Sequence, residues 1–162
     1  MKLYQATILL GTNIGDKRQN LNRAMHLLKH YCGTIIKKSS IYESEAWGKE
    51  DQDSFYNQVL IIKTYLPPIF LTKIVLQLEK KMGRIREEKW GPRLIDMDLL
   101  FYENKIISNK TLELPHPGIP ERNFTLLPLI ELNPNFLHPV RKCTIKELYA
   151  QSKDQLNAIQ LK

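Results

Sequence analysis

The chain has 162 residues with 24 Lys+Arg against 17 Asp+Glu, a formal charge of +7, and its length suits one domain over 1–162 with a sizeable core. Hydrophobic residues at 43% and charged residues at 25% are ordinary globular proportions and exclude wholesale disorder. No apolar run approaches the ~20 residues of a membrane span, the run 6–10 is too short for a secretory leader, and Cys32 and Cys143 lack CxxC spacing, so a soluble cytoplasmic chain with reduced thiols is expected.

Residues 4–10 are an apolar, β-branched-rich run that stops at Gly11, the pattern of a buried strand. Asp16 is placed to cap a helix whose apolar stripe is Leu21, Ala24, Met25 and Leu28, with Gly33 ending it. Strand character returns over 34–42, and 43–54 then turns polar, a long loop of the kind that carries function. A strand over 55–65 follows, with Phe55, Asn57, Val59 and Ile61 on one face and Tyr56, Leu60 and Ile62 on the other. Pro67 and Pro68 open a second helix with Leu71, Ile74, Val75, Leu78 and Met82 inside, closed at Gly83. A loop over 84–93 leads to a strand over 94–102. The remainder is turn-rich, with a short helix over 120–127 and a last one opened by a capping box at Thr144 and Glu147. The order β-α-β-β-α-β through residue 102 predicts a ferredoxin-like α+β fold, an antiparallel sheet with helices on one face, extended by C-terminal strands and short helices.

Asp96 and Asp98 interrupt the apolar stretch 94–101. On a strand they share a face about 6.6 Å apart, and carboxylates that close are costly to ionise together in a half-buried place without a cation. An oxygen-only pair suits Mg²⁺, which takes one or two carboxylates with phosphate oxygens and water. The pair equally fits the polar side of an edge strand whose other face is Ile95, Met97 and Leu99, so the spacing alone leaves both readings open. Lys80, Lys81, Arg84, Arg86, Lys89 and Arg93 gather positive charge around Trp90 just before these carboxylates, a composition for a polyphosphate or for a solvated basic loop. His26 and His30 stand i, i+4 on the first helix without Cys, Asp or Glu partners at metal-site spacing, and read as surface histidines. Neither GxxxxGK[ST] nor GxGxxG occurs. A ferredoxin-like RNA-binding module, the rival suggested by element order and charge, requires an aromatic strand motif that no segment matches.

Together these segments resemble the 6-hydroxymethyl-7,8-dihydropterin pyrophosphokinases of folate biosynthesis. The resemblance rests on the run 86–100, Arg86-Glu87-Glu88-Lys89-Trp90-Gly91-Pro92-Arg93-Leu94-Ile95-Asp96-Met97-Asp98-Leu99-Leu100. Supporting it in order are Gly11-Thr12-Asn13-Ile14-Gly15, Phe55-Tyr56-Asn57, Leu114-Pro115-His116-Pro117 and Arg122-Asn123-Phe124. It implies transfer of pyrophosphate from ATP to the pterin hydroxymethyl group, leaving AMP, by a monomeric cytoplasmic enzyme with two Mg²⁺ ions and loops that close over its small-molecule substrates. No nucleic-acid or membrane partner is implied.

Carried over by position, the resemblance makes Asp96 and Asp98 the metal ligands and Arg84 and Arg93 the catalytic arginines. Arg86, His116 and Arg122 become nucleotide-binding cations, with Glu79, Trp90 and Ile95 also at the ATP site. Asn57 would read the pterin edge while Phe55 and Phe124 sandwich the ring. Ser44, Ala46 and Trp47 would line that pocket and Trp90 close over it. Three positions depart from the usual residues: Glu45 stands where proline is frequent, and Thr111 and Lys89 where arginine is.

Overall fold

The structure, a computed structural model, describes residues 2–46, 51–85 and 91–162. Strand β1 (Tyr4–Thr12) leads to helix α1 (Lys17–Tyr31), β2 (Thr34–Lys38), β3 (Tyr42–Ser44), β4 (Phe55–Thr64), α2 (Pro68–Lys81) and β5 (Asp96–Tyr102). A small hairpin of β6 (Ile107–Ser108) and β7 (Glu113–Leu114) follows, then α3 (Asn123–Leu132), α4 (Ile145–Gln151) and β8 (Ala158–Gln160).

The helix ends obey the local chemistry read from the sequence. Asp16 Oδ1 accepts from the Gln19 N–H at 2.9 Å, capping α1. Past its other end Gly33 has φ 145°, and a β-carbon there would lie 2.1 Å from the Lys63 carbonyl oxygen, so only glycine fits. Thr144 and Glu147 form the reciprocal capping box of α4.

The main sheet runs β5-β1-β4-β3-β8, with β2 also on β4, and its pairs are antiparallel. This is the strand order of a ferredoxin-like core with β8 added at one edge. Ala6, Ile8 and Leu10 of β1 and Leu60 and Ile62 of β4 pack against α1 and α2 on one face. Leu9, Val59 and Phe101 pack against α3 and α4 on the other. The expectation of helices on one face therefore holds for the first two helices, while the C-terminal pair covers part of the second face. Among the described residues no helix is long and apolar enough to cross a membrane.

Three expected boundaries shift. The strand expected over 34–42 is two strands, because the Ser39 hydroxyl accepts the Val59 N–H at 2.9 Å and takes the place of a ladder bond. The polar loop begins later than expected, since Glu43 and Ser44 pair with Tyr56 and Phe55 and also with β8. The helix expected over 120–127 is a 3₁₀ turn (Ile119–Glu121) followed by α3.

Candidate active site

Gly11, next to last in β1, lies opposite Asn57 on β4 and opposite Asp96 on β5. Two residues earlier Leu9 lies opposite Asp98, so both aspartates project from the same face, as strand alternation requires. Met97 and Leu99 point the other way and are buried beneath α1 and α2. Ile95 is buried with them at 0% exposure, which leaves only its backbone for any ligand.

On the open face a cavity forms at this end of β1. Ser44, Phe55 and Asn57 line one side of it, Asp96, Asp98 and Arg93 the other, and Arg122 and Phe124 close it from the start of α3. Leu9, Glu45 and Gly11 complete the lining. A β-carbon at Gly11 would stand 3.4 Å from Asn57 Oδ1 and 4.0 Å from the Phe55 ring, so the missing side chain is part of the cavity.

Asn57 is 2% exposed. Its Nδ2 donates to Ser44 Oγ at 2.8 Å and points to the Tyr42 carbonyl at 3.4 Å. That fixes the amide and leaves Oδ1 as the end beside Gly11. Ala46 is buried at the edge of the same segment. Trp47, Arg86, Lys89 and Trp90 lie outside the described residues.

Charge concentrates around Asp96. Arg84 Nη1 reaches its Oδ1 at 2.7 Å and Arg93 Nη1 its Oδ2 at 2.5 Å. Arg84 also pairs with Glu79, which is 2% exposed and accepts the Met97 N–H at 2.7 Å. Burial raises the Glu79 carboxyl above its usual range, and the Asp96 charge adds to the rise. Asp98 is pushed up to about 7, first by burial, then by the charges of Asp96 and Glu79, against the pull of Arg122 and Arg84.

These groups fit Mg²⁺. The donors are carboxylate oxygens on one face, and the price of Asp98's ionisation is what a divalent cation would remove. Among the described residues no three or more His, Cys, Asp and Glu gather to hold a metal alone. The pair would therefore share the ion with phosphate oxygens and water, as Mg²⁺ sites usually do.

A cleft of about 290 Å³ adjoins on the far side of Asp98. Its walls include apolar Val75, Leu76 and Leu99, with Thr72, Thr111, Glu113 and His116 as polar points beside Asp98. His116, expected as a cation, is held neutral: burial and then Arg122 lower it to about 4, against a weaker opposite effect from Asp96. Its Nδ1 accepts the Gly118 N–H at 3.1 Å. His26 and His30 are exposed on α1, away from the core.

Sequence reasoning brought the aspartates, Arg84, Arg93, Arg122, Asn57, Ser44 and the two phenylalanines to one place. It passed over Leu9 as a lining residue and gave Gly11 no role there; the signal was a glycine closing a strand whose neighbours carry the polar groups. The family model of 7,8-dihydro-6-hydroxymethylpterin-pyrophosphokinase (HPPK) matches residues 7–134. The 2-amino-4-hydroxy-6-hydroxymethyldihydropteridine pyrophosphokinase of Aquifex aeolicus is 42% identical, over 85% of this chain and 86% of its own. The Bacillus subtilis protein of that name is 44% identical, over 78% and 77%. A crystal structure of Plasmodium falciparum HPPK-DHPS with pterin and p-hydroxybenzoate superposes with a TM-score of 0.73 at 20% identity, covering 93% of this chain and 42% of that one. The fold is thus shared with a chain more than twice as long, while the matches to the two bacterial proteins extend over most of both sequences. By these matches the chain belongs to the 7,8-dihydro-6-hydroxymethylpterin-pyrophosphokinase family.

Proposed function

We propose that the chain transfers pyrophosphate from ATP to the hydroxymethyl group of 6-hydroxymethyl-7,8-dihydropterin in folate synthesis, with the pterin in the Gly11 cavity and ATP in the cleft beyond Asp98. The observation that carries this reading is the shared register of Gly11, which sets a fixed amide and a carboxylate on either side of one open position. The hydroxymethyl oxygen bonds to the β-phosphorus and releases its proton to solvent, the bond from that phosphorus to the α,β-bridging oxygen breaks, and AMP leaves with that oxygen.

Asn57 Oδ1 accepts from the donor edge of the pterin, and Phe55 and Phe124 supply ring contacts. Ser44 keeps the amide from turning. The apolar cleft takes the adenine, with neutral His116 as a hydrogen-bonding group and Arg122 and Arg86 as cations for the phosphates. Asp96 and Asp98 would hold Mg²⁺, two ions shared with the phosphates. The metal would supply neutralising charge for the transferring group. Arg84 and Arg93 leave Asp96 to contact the phosphates, where positioning and fixed charge carry most of the acceleration. We read the chain as a single-domain, monomeric, cytoplasmic enzyme.

The test is direct. Protein, ATP, Mg²⁺ and hydroxymethyldihydropterin are mixed and the nucleotide product is identified. AMP in step with pterin diphosphate is expected, and ADP would overturn pyrophosphoryl transfer. Light scattering at the monomer mass is expected with and without substrates.

A further inference from the structure

We propose that Asp154, far from the reacting groups in the chain, is a positioning residue for the cavity wall formed by Phe124, acting through Asn123. This rests on the substrate assignment above. Phe124 lines the cavity from the first turn of α3, and that turn has little to hold it from within. Arg122 stands at the N-cap and its side chain does not cap the helix, so the first backbone N–H groups need partners from elsewhere. Pro128 lies inside α3 and lacks the N–H that would otherwise bond the Phe124 carbonyl four residues back.

Asp154 supplies the partner from outside the helix. Its Oδ2 accepts the Asn123 N–H at 2.8 Å, and its carbonyl accepts from Asn123 Nδ2 at 2.9 Å. A carboxylate there also meets the positive end of the helix dipole. Asp154 is itself fixed, since Oδ1 accepts the Leu156 N–H at 3.0 Å and its own N–H donates to Ser152 Oγ at 3.2 Å. Four residues on, Ala158 of β8 pairs with Ser44 on β3, which lines the same cavity, and the Leu161 N–H donates to the Ile41 carbonyl at 2.8 Å. The segment 154–158 thus ties the Phe124 wall to the wall that carries Ser44.

The far end of α3 is held separately. Glu131 there accepts the Tyr42 hydroxyl at 2.8 Å and the Ser40 N–H at 2.9 Å. With that end pinned, loss of Asp154 frees the turn bearing Arg122 and Phe124, and the two side chains do not feel it equally. Arg122 has a long side chain with many rotamers and re-aims after a small backbone shift. The Phe124 ring sits close to the backbone and moves with it, and a ring contact depends on that placement. The pterin therefore loses more than the nucleotide does.

The decisive measurement is the Kd of 6-hydroxymethyl-7,8-dihydropterin by calorimetry with Mg²⁺ and a non-hydrolysable ATP analogue present, beside the Kd of the analogue alone. Asp154→Ala should raise the pterin Kd at least about threefold, the effect of losing one hydrogen bond, and leave the analogue within about twofold. In a Phe124→Ala background the same substitution should change the pterin Kd by less than about 1.5-fold, because residues that act through one another do not add. Asn123→Ala removes one of the two bonds to Asp154 and should raise the pterin Kd at least about twofold, again absorbed by Phe124→Ala, even if Asp154→Ala does not fold. A purely structural Asp154 would lower the Tm with a smaller change in pterin Kd, weaken both ligands alike, or add fully to Phe124→Ala. Any of these overturns the proposal. Pterin binding by the native chain is scored separately: its absence would refute the substrate assignment, whereas binding indifferent to Asp154 and Asn123 would refute only the positioning role.

Discussion

Asn57 and Asp96 are cross-strand partners of the same residue, Gly11, and so stand two strand spacings apart, about 10 Å, with no side chain between them. A substrate lying across Gly11 reaches both. Reading the substrate edge and placing charge on its reacting end then become one geometric problem, solved by strand register alone.

Gly11→Ala tests that relationship. Its β-carbon would lie 3.4 Å from Asn57 Oδ1, a close contact beside an amide that Ser44 prevents from moving. Overpacking of this kind costs about 1–3 kcal/mol. Pterin affinity should fall roughly 5–100-fold while ATP-analogue affinity stays within twofold, both read by calorimetry. An equal loss for both ligands would mean that the sheet itself had distorted.

Asn57→Ala should act on the same ligand by a different route. It removes the acceptor offered to the pterin edge and frees Ser44 Oγ, to which Asn57 Nδ2 donates. An unpaired ring-edge group in a buried pocket costs about 1–3 kcal/mol, so pterin binding should weaken by that amount with little change in ATP binding. Comparable weakening of the nucleotide would show the amide to be structural.

Much of this site is legible in the sequence because strands alternate. Asp96 and Asp98 share a face, and Met97 and Leu99 are buried opposite, for the reason that a period of two forces. Helix ends were equally readable, since Asp16, Gly33 and Thr144 act on their immediate neighbours. What escaped depends on partners distant in the chain. Ser39 splits a strand through a bond to Val59, twenty residues on. His116 is neutral because of burial and Arg122, neither of which a residue type discloses. The pairing of Arg84 and Arg93 with Asp96 follows from where β5 places that carboxylate beside both arginines.

Those ion pairs sharpen what the arginines should do. In the substrate-free protein both guanidinium groups are on Asp96, and binding must transfer them to phosphate oxygens. Arg84→Ala and Arg93→Ala should each lower kcat by about 10²-fold, comparable to losing one fixed electrostatic donor at a reacting group, while the Kd for the ATP analogue changes less than about fivefold. Rapid-quench single turnovers within twofold of the native rate would remove them from the chemistry.

Asp98 gives the sharpest test, because its stability and activity effects run in opposite directions. Its carboxyl is pushed up to about 7 in the fold, by burial first and then by Asp96 and Glu79, from an ordinary value of 3.8. Below the ordinary value both folded and unfolded chains are protonated there, and no penalty arises. Between the two values the unfolded chain ionises while the fold retains its proton, so stability falls as pH rises. Above about 7 the penalty is complete. In chelator, Asp98→Asn should match the native Tm near pH 4 and exceed it by at least about 3 °C at pH 8, the shift expected for roughly 1 kcal/mol in a chain of this length. Asp96→Asn should show no such gain, since it strips Arg84 and Arg93 of their partner. Adding Mg²⁺ with an ATP analogue should raise the native Tm and move that of Asp98→Asn far less. Turnover of Asp98→Asn should fall about 10²–10³-fold. Near-native AMP formation, or a Tm difference that does not change with pH, would show that Asp98 is merely a polar residue on the open side of the strand.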